Sequence, residues 1–105
     1  MLSVKKLLTK LLIDDKYKIQ SGYKLGSSIA SNSYGDFSIT FPRAYSSAPI
    51  VLATLLTDPS STSSENAKIE LYVVDVTTTG ATIRAFNSAT LARTPRFNWV
   101  AVGKV

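Results

Sequence analysis

Between residues 17 and 104 apolar and polar side chains alternate with a period of two, in short runs separated by Ser, Thr, Gly, Asn and Pro, and no helical run intervenes. Period two places successive side chains on opposite faces of a strand. Neighbouring parallel strands need a crossover of a dozen or more residues, usually a helix. With no such crossover available the strands must pair antiparallel, as a sandwich or barrel. The 25 Ser and Thr residues among 105 supply the turns between them. A chain of this length is a single domain able to bury a core without covalent staples.

The runs can be read one by one. An alternation begins at Tyr17 and is punctuated by Ser21-Gly22, and residues 26–32 form a Gly/Ser/Asn loop. Phe37, Ile39 and Phe41 alternate with Ser38 and Thr40 until Pro42 ends the strand. Pro49 opens residues 50–56, apolar on both faces and therefore read as a central strand. Residues 58–66 are a polar, serine-rich loop, and residues 68–76 alternate again. Thr77-Thr78-Thr79-Gly80 carries the glycine expected of a tight hairpin. Thr82, Arg84 and Phe86 then share one face, with Ala81, Ile83 and Ala85 on the other. In the last strand, residues 96–104, Phe97, Trp99, Ala101 and Gly103 share a face. The expectation is an all-β, six-stranded antiparallel β-sandwich over residues 17–105, preceded by a short amphipathic α-helix within residues 1–16.

The helix is read from MLSVKKLLTKLLI, where Val4, Leu7, Leu8, Leu11 and Leu12 recur at three- and four-residue steps and Lys5, Lys6 and Lys10 take the remaining surface. Ser3 is its N-cap. Lys10 inside the apolar run, and Asp14-Asp15-Lys16 where small residues would mark cleavage, argue against a secretory signal. The run is too short to span a bilayer. A helix this short is marginal alone, so its leucine face must be covered by its own domain, by copies of itself or by a membrane surface. Packing on its own domain or on sister subunits is the expectation. The adjacent leucines at 7 and 8 and at 11 and 12 make a stripe wide enough for three or more helices, and these five apolar residues are the candidate oligomerisation set.

The formal charge of +5 is concentrated in the same segment. Six lysines face only Asp14 and Asp15 in residues 1–24, whereas six basic and five acidic side chains share the rest. A nearly neutral body lacks the basic stripe that nucleic acid requires. The chain has no Cys and no His, which removes Cys/His zinc sites and Ser-His or Cys-His nucleophile pairs. Asp58 and Glu65 lie in one polar loop, Glu70 points outward from a strand, and no two carboxylates converge as glycoside hydrolysis needs. Asp75, in phase with Ile69, Leu71 and Val73, is read as a strand-end group accepting turn hydrogen bonds. Asp14-Asp15 and Asp58-Pro59 lack calcium-loop spacing, and the five glycines form no phosphate loop. No enzyme, metal or cofactor is expected. Tyr17, Tyr23, Tyr34, Tyr45 and Tyr72 have rings able to stack on sugars, and Arg84, Arg93 and Arg96 can bond their hydroxyls, while Trp99, in phase with Phe97 and Ala101, belongs to the core.

The stretch Ser38-Ile39-Thr40-Phe41, then Tyr45, Pro49-Ile50-Val51-Leu52, Asn66, Lys68-Ile69, Val76-Thr77, Gly80 and the closing Phe97-Asn98-Trp99-Val100-Ala101-Val102-Gly103 resembles the H-type lectin domain. That family includes snail agglutinins, the C-terminal domain of discoidins and modules of phage tail proteins. The resemblance implies a six-stranded sandwich that associates as a trimer, with sugar sites near the subunit boundaries. It also implies a grip made of an acid in the loop after the first strand, an arginine shortly after the Asn of the fourth strand, and aromatic or imidazole groups in the loop before the last strand. Here residues 26–29 hold no acid, Lys68 stands at the arginine position, and residues 87–95 hold no aromatic and no His. Lysine keeps the charge but loses the planar fork. The candidate sugar-contacting side chains are Lys68, Arg84, Asn87 and Arg93. The expected function is a non-enzymatic, trimeric carbohydrate-binding module of a phage or prophage tail, made in the bacterial cytoplasm and carried on the virion. Its partners would be a bacterial cell-surface glycan and other virion tail proteins. The alternative is a trimerisation and virion-assembly module without sugar binding.

Overall fold

A computed structural model describes residues 3–13, 16–56 and 68–105, with the side chains of residues 10–13 outside that description. Asp14-Asp15, the 58–66 loop with Asp58, Pro59, Glu65 and Asn66, and the side chains of Leu11 and Leu12 therefore lie outside the described residues. The elements are α1 (Val4–Ile13), β1 (Tyr17–Leu25), β2 (Ser33–Thr40), β3 (Ile50–Leu55), β4 (Ile69–Val76), β5 (Gly80–Asn87) and β6 (Arg96–Lys104). Two three-stranded antiparallel sheets result, in the orders β1-β6-β3 and β2-β5-β4. This is the six-stranded sandwich that the alternation predicts.

The core forms where the two central strands face each other. β5 contributes Ala81, Ile83 and Ala85, and β6 contributes Phe97, Trp99 and Ala101, all buried. Small residues on one strand leave room for rings on the other, as close packing of the two layers requires. Phe41 packs edge-on against Tyr45, with centroids 5.3 Å apart, and lies 5.7 Å from Trp99. The Tyr45 hydroxyl is 3.0 Å from the Ala101 carbonyl and 3.2 Å from that of Lys18, so the chain that passes from one sheet to the other is fixed to β6 and β1. Burial raises the Tyr45 phenol above its ordinary value. Gln20 adds a second clasp, its amide accepting from Arg43 N at 2.7 Å and donating to Arg43 O at 2.8 Å.

Four readings change. Residues 50–55 form an edge strand, not a central one: β6 occupies the middle of that sheet, and Leu52 is 57% exposed. The second apolar face of this run points away from the core. β1 is continuous through Ser21-Gly22, because Gly22 sits opposite Trp99 and a Cβ there would lie 2.7 Å from the indole. Gly80 does not have the positive φ of a primed hairpin turn. It is required because β2 passes so close that a Cβ would overlap the Ile39 carbonyl oxygen. Asp75 follows a β-bulge that turns it outward, and the turn amides of Thr79 and Gly80 donate to Thr77 Oγ1 instead.

α1 begins as expected, with Lys6 N donating to Ser3 Oγ at 3.2 Å. Leu7 is 4% exposed and lines a cleft with Tyr17, Pro49, Ile50 and Gly103 of its own sandwich, whereas Val4 and Leu8 are 53% and 47% exposed. Among the described residues no helix is long and apolar enough to cross a membrane.

Gly80→Ala should destabilise the fold by about 1–3 kcal/mol, the usual cost of forced overpacking. Urea denaturation checks it, with Gly35→Ala as the control, since the Cβ at Gly35 meets only side chains at 3.3 Å or more.

Candidate functional site

At one end of the sandwich the loop of residues 26–32 lies against that of residues 88–95. Ile29 and Arg93 exchange backbone hydrogen bonds of 2.8 and 3.0 Å, and Gly26 N donates to Pro95 O at 2.9 Å. Ser31 Oγ donates to Ala89 O at 2.6 Å. Asn32 takes φ 55°, a left-handed conformation that Asn tolerates, and turns the chain into β2.

Asn87 holds both loops. Its side-chain amide donates to Ile29 O at 3.0 Å, Leu91 O at 3.0 Å and Ala30 O at 3.4 Å, while its oxygen accepts from Ala89 N at 2.9 Å. It is fully buried. Asn87 is therefore corrected from a sugar-contacting candidate to the support of the loops, because a buried amide with its hydrogen bonds made inside the protein reaches no ligand.

Lys68 is exposed at the same end, and its carbonyl accepts from Ser88 N at 3.0 Å and Ser88 Oγ at 2.9 Å, which ties the start of β4 to the 88–95 loop. Arg93 is partly buried there. The structure thus brings Lys68, Asn87 and Arg93 together and leaves Arg84 apart. Arg84 lies on the outward face of the β2-β5-β4 sheet, where Nε and Nη2 meet the two Asp36 carboxylate oxygens at 2.8 and 3.1 Å. This bidentate pair holds the Asp36 carboxyl below its ordinary value and raises Arg84.

A cleft of about 380 Å³ opens on the other side of this end, lined by Tyr23, Leu25, Leu55, Ile69, Pro95 and Arg96 among others. It combines an apolar wall, an aromatic ring 54% exposed and an arginine at the start of β6. Such a mixture can hold the apolar face of a sugar while bonding its hydroxyls. The sequence shows Tyr23 and Arg96 as suitable residue types. It does not show that the ends of β1, β3 and β6 bring them to one cleft. Among the described residues no cluster of His, Cys, Asp or Glu could hold a metal ion.

The sequence matches the family model of the H-type lectin domain over residues 36–102. Three solved structures share the fold. The R1 pyocin fibre of P. aeruginosa, residues 323–701, has a TM-score of 0.66 and 22% identity over 83% of this chain and 23% of its own. An N-truncated R1-type pyocin tail fibre has a TM-score of 0.65 and 16% identity over 98% of both chains. The tailspike protein of Pseudomonas phage LKA1 has a TM-score of 0.65 and 26% identity over 85% of this chain and 15% of its own. The chain thus spans less than a quarter of the first fibre and of the tailspike. No curated protein matches closely enough to count as a relative.

Asn87→Leu removes the donor shared by three loop carbonyls and should cost about 1–3 kcal/mol, the penalty for leaving buried polar groups unsatisfied. Hydrogen exchange should show the Ile29 and Arg93 amides losing protection first, while β5 and β6 amides nearer the other end keep theirs.

Proposed function

The chain belongs to the H-type lectin domain family, and from that membership we propose that it is a non-enzymatic carbohydrate-binding module of a phage or prophage tail, acting as a trimer in recognition of a bacterial surface glycan. The loop end carries this reading: Tyr23 and Arg96 line a concave surface with apolar walls, and beside it the two loops that hold Lys68 and Arg93 near each other are fixed in advance by Asn87. Preformed loops lose little entropy when a ligand binds. The shared fold with pyocin tail fibres and a phage tailspike supports a place on a virion, among other tail proteins, after synthesis in the bacterial cytoplasm.

The trimer draws support from the outward face of the β1-β6-β3 sheet. Ile19 and Leu52 are each 57% exposed, and Val102, Ile50 and Val100 lie beside them in the same two rows of this face. A contiguous apolar surface of this kind calls for a partner, and copies of the chain are the occupant proposed here. Residues 17–105 form the lectin-like sandwich, and residues 1–16 add to the assembly through Val4 and Leu8, since Leu7 is already covered by its own sandwich. A second reading, a trimerisation and virion-assembly module without sugar binding, is favoured by the departures from the family grip. The 26–32 loop has no acid, the 88–95 loop has no aromatic or His, and Asn87 faces inward.

On an array of bacterial surface polysaccharides the assembled protein should bind, and Lys68→Ala or Arg96→Ala should weaken that binding about tenfold, the loss of one charged hydrogen bond. A flat array supports the assembly reading instead. Independently, Leu52→Lys should lower the mass measured by light scattering from that of three chains to that of one. An unchanged mass places the subunit contacts elsewhere.

A further inference from the structure

The outward face of the other sheet, β2-β5-β4, has a different chemistry. Cross-strand register sets Tyr34, Phe86 and Glu70 in one row and Asp36, Arg84 and Tyr72 in the next. Tyr34 and Tyr72 are 58% and 48% exposed. Arg84 is clamped by Asp36, and its guanidinium lies 4.3 Å from the centre of the Tyr34 ring, fixing that ring on the sheet. The Tyr72 hydroxyl donates to Glu70, a bond that raises the Tyr72 phenol above its ordinary value. Both rings are therefore held by ionised neighbours. Each carboxylate keeps lone pairs beyond those used here and can still accept from a hydroxyl.

We propose that this face is a second saccharide-contacting surface, in which Tyr34 and Tyr72 are the stacking platforms and Asp36 and Glu70 accept hydroxyl hydrogen bonds. It rests on the carbohydrate-binding reading for its ligand class, but not for its location. The two tyrosines stand on strands flanking β5 and are offset by two residues, which separates them by about 12 Å at ordinary strand spacings. That span suits a short oligosaccharide better than a single sugar. The charge selects further. Asp36, Glu70 and Asp75 outnumber Arg84, whose fork Asp36 already occupies. The face therefore takes neutral glycans and repels uronic or sialic acids.

The test is a two-dimensional NMR titration of the assembled protein with cellohexaose, maltohexaose, chitohexaose and, as the anionic arm, hexagalacturonate. At least one neutral hexasaccharide should shift the ring resonances of Tyr34 and Tyr72. Hexagalacturonate should shift neither. Tyr34→Ala or Tyr72→Ala should each weaken the response about two- to tenfold, the worth of one ring contact, and Lys18→Ala, exposed on the other sheet, should leave it intact. Shifts confined to the loop end overturn this inference and leave the lectin reading standing. Unchanged rings with all four probes, an equal response to hexagalacturonate, or rings shielded from a soluble paramagnet because another copy covers the face each overturn it as well. A response on this face alone overturns the loop-end site and keeps this one.

Discussion

The contact between β5 and β6 organises everything else in the molecule. Each is the middle strand of its sheet, hydrogen-bonded on both sides, and each turns its buried side toward the core, apolar throughout except for Asn87 at the end of β5. Ile83, Ala85, Phe97 and Ala101 have no exposure at all. The four outer strands have no core of their own; each is placed by its register to β5 or β6. Burying a ring of the size of Phe97 or Trp99 removes a large apolar area from water, and neither can be truncated without leaving a cavity. Two glycines let neighbouring strands come close to this pair. Gly22 is where β1 passes over the Trp99 indole, and Gly80 is where β5 starts against the backbone of β2.

From that centre the two ends of the sandwich are closed in different ways. Phe41, Tyr45 and Trp99 close one end with aromatic packing and a hydroxyl shared between two carbonyls. Asn87, the last residue of β5, closes the other with a single amide that gathers three carbonyls and one N–H. An apolar residue there would fill the space but leave these groups unpaired in a dry environment, which is why a buried polar group is the stable solution. The loops above it are consequently short, internally bonded and free to vary at their exposed side chains. Support thus falls to Asn87 and leaves the exposed side chains of the same loops without that task.

The fold was legible where a strand has one dry face. The phases of Ala81, Ile83 and Ala85 and of Phe97, Trp99, Ala101 and Gly103 are read straight from the sequence, because period two and burial coincide there. Residues 50–55 misled because an edge strand whose outer side is also apolar carries the same pattern as a central one. Gly80 looked like turn chemistry, since a sequence shows a glycine beside threonines and not the strand that crosses it. Asn87 looked like a loop polar group, since nothing in one chain segment reveals carbonyls that arrive from residues 29 and 30. The Asp36–Arg84 pair was invisible for the same reason: its partners are 48 residues apart, and register is a tertiary property.

The two sheets also differ in what their outer faces demand. On β1-β6-β3 the exposed aliphatic side chains of Ile19 and Leu52 gain by leaving water. On β2-β5-β4 the rings stand among ionised groups that already have partners, and covering them with protein would desolvate Asp36, Arg84 and Glu70 at a cost that their mutual attraction repays poorly. The proposed association through Ile19, Leu52 and their neighbours would therefore leave the second face in water. In a threefold assembly each such surface is repeated and points outward from a common axis. On the proposed reading, binding by one copy would raise the local concentration of the others at the same glycan layer, so that modest individual sites sum to firm attachment. A rigid sandwich suits that arrangement, because avidity is lost when the sites cannot engage at the same time.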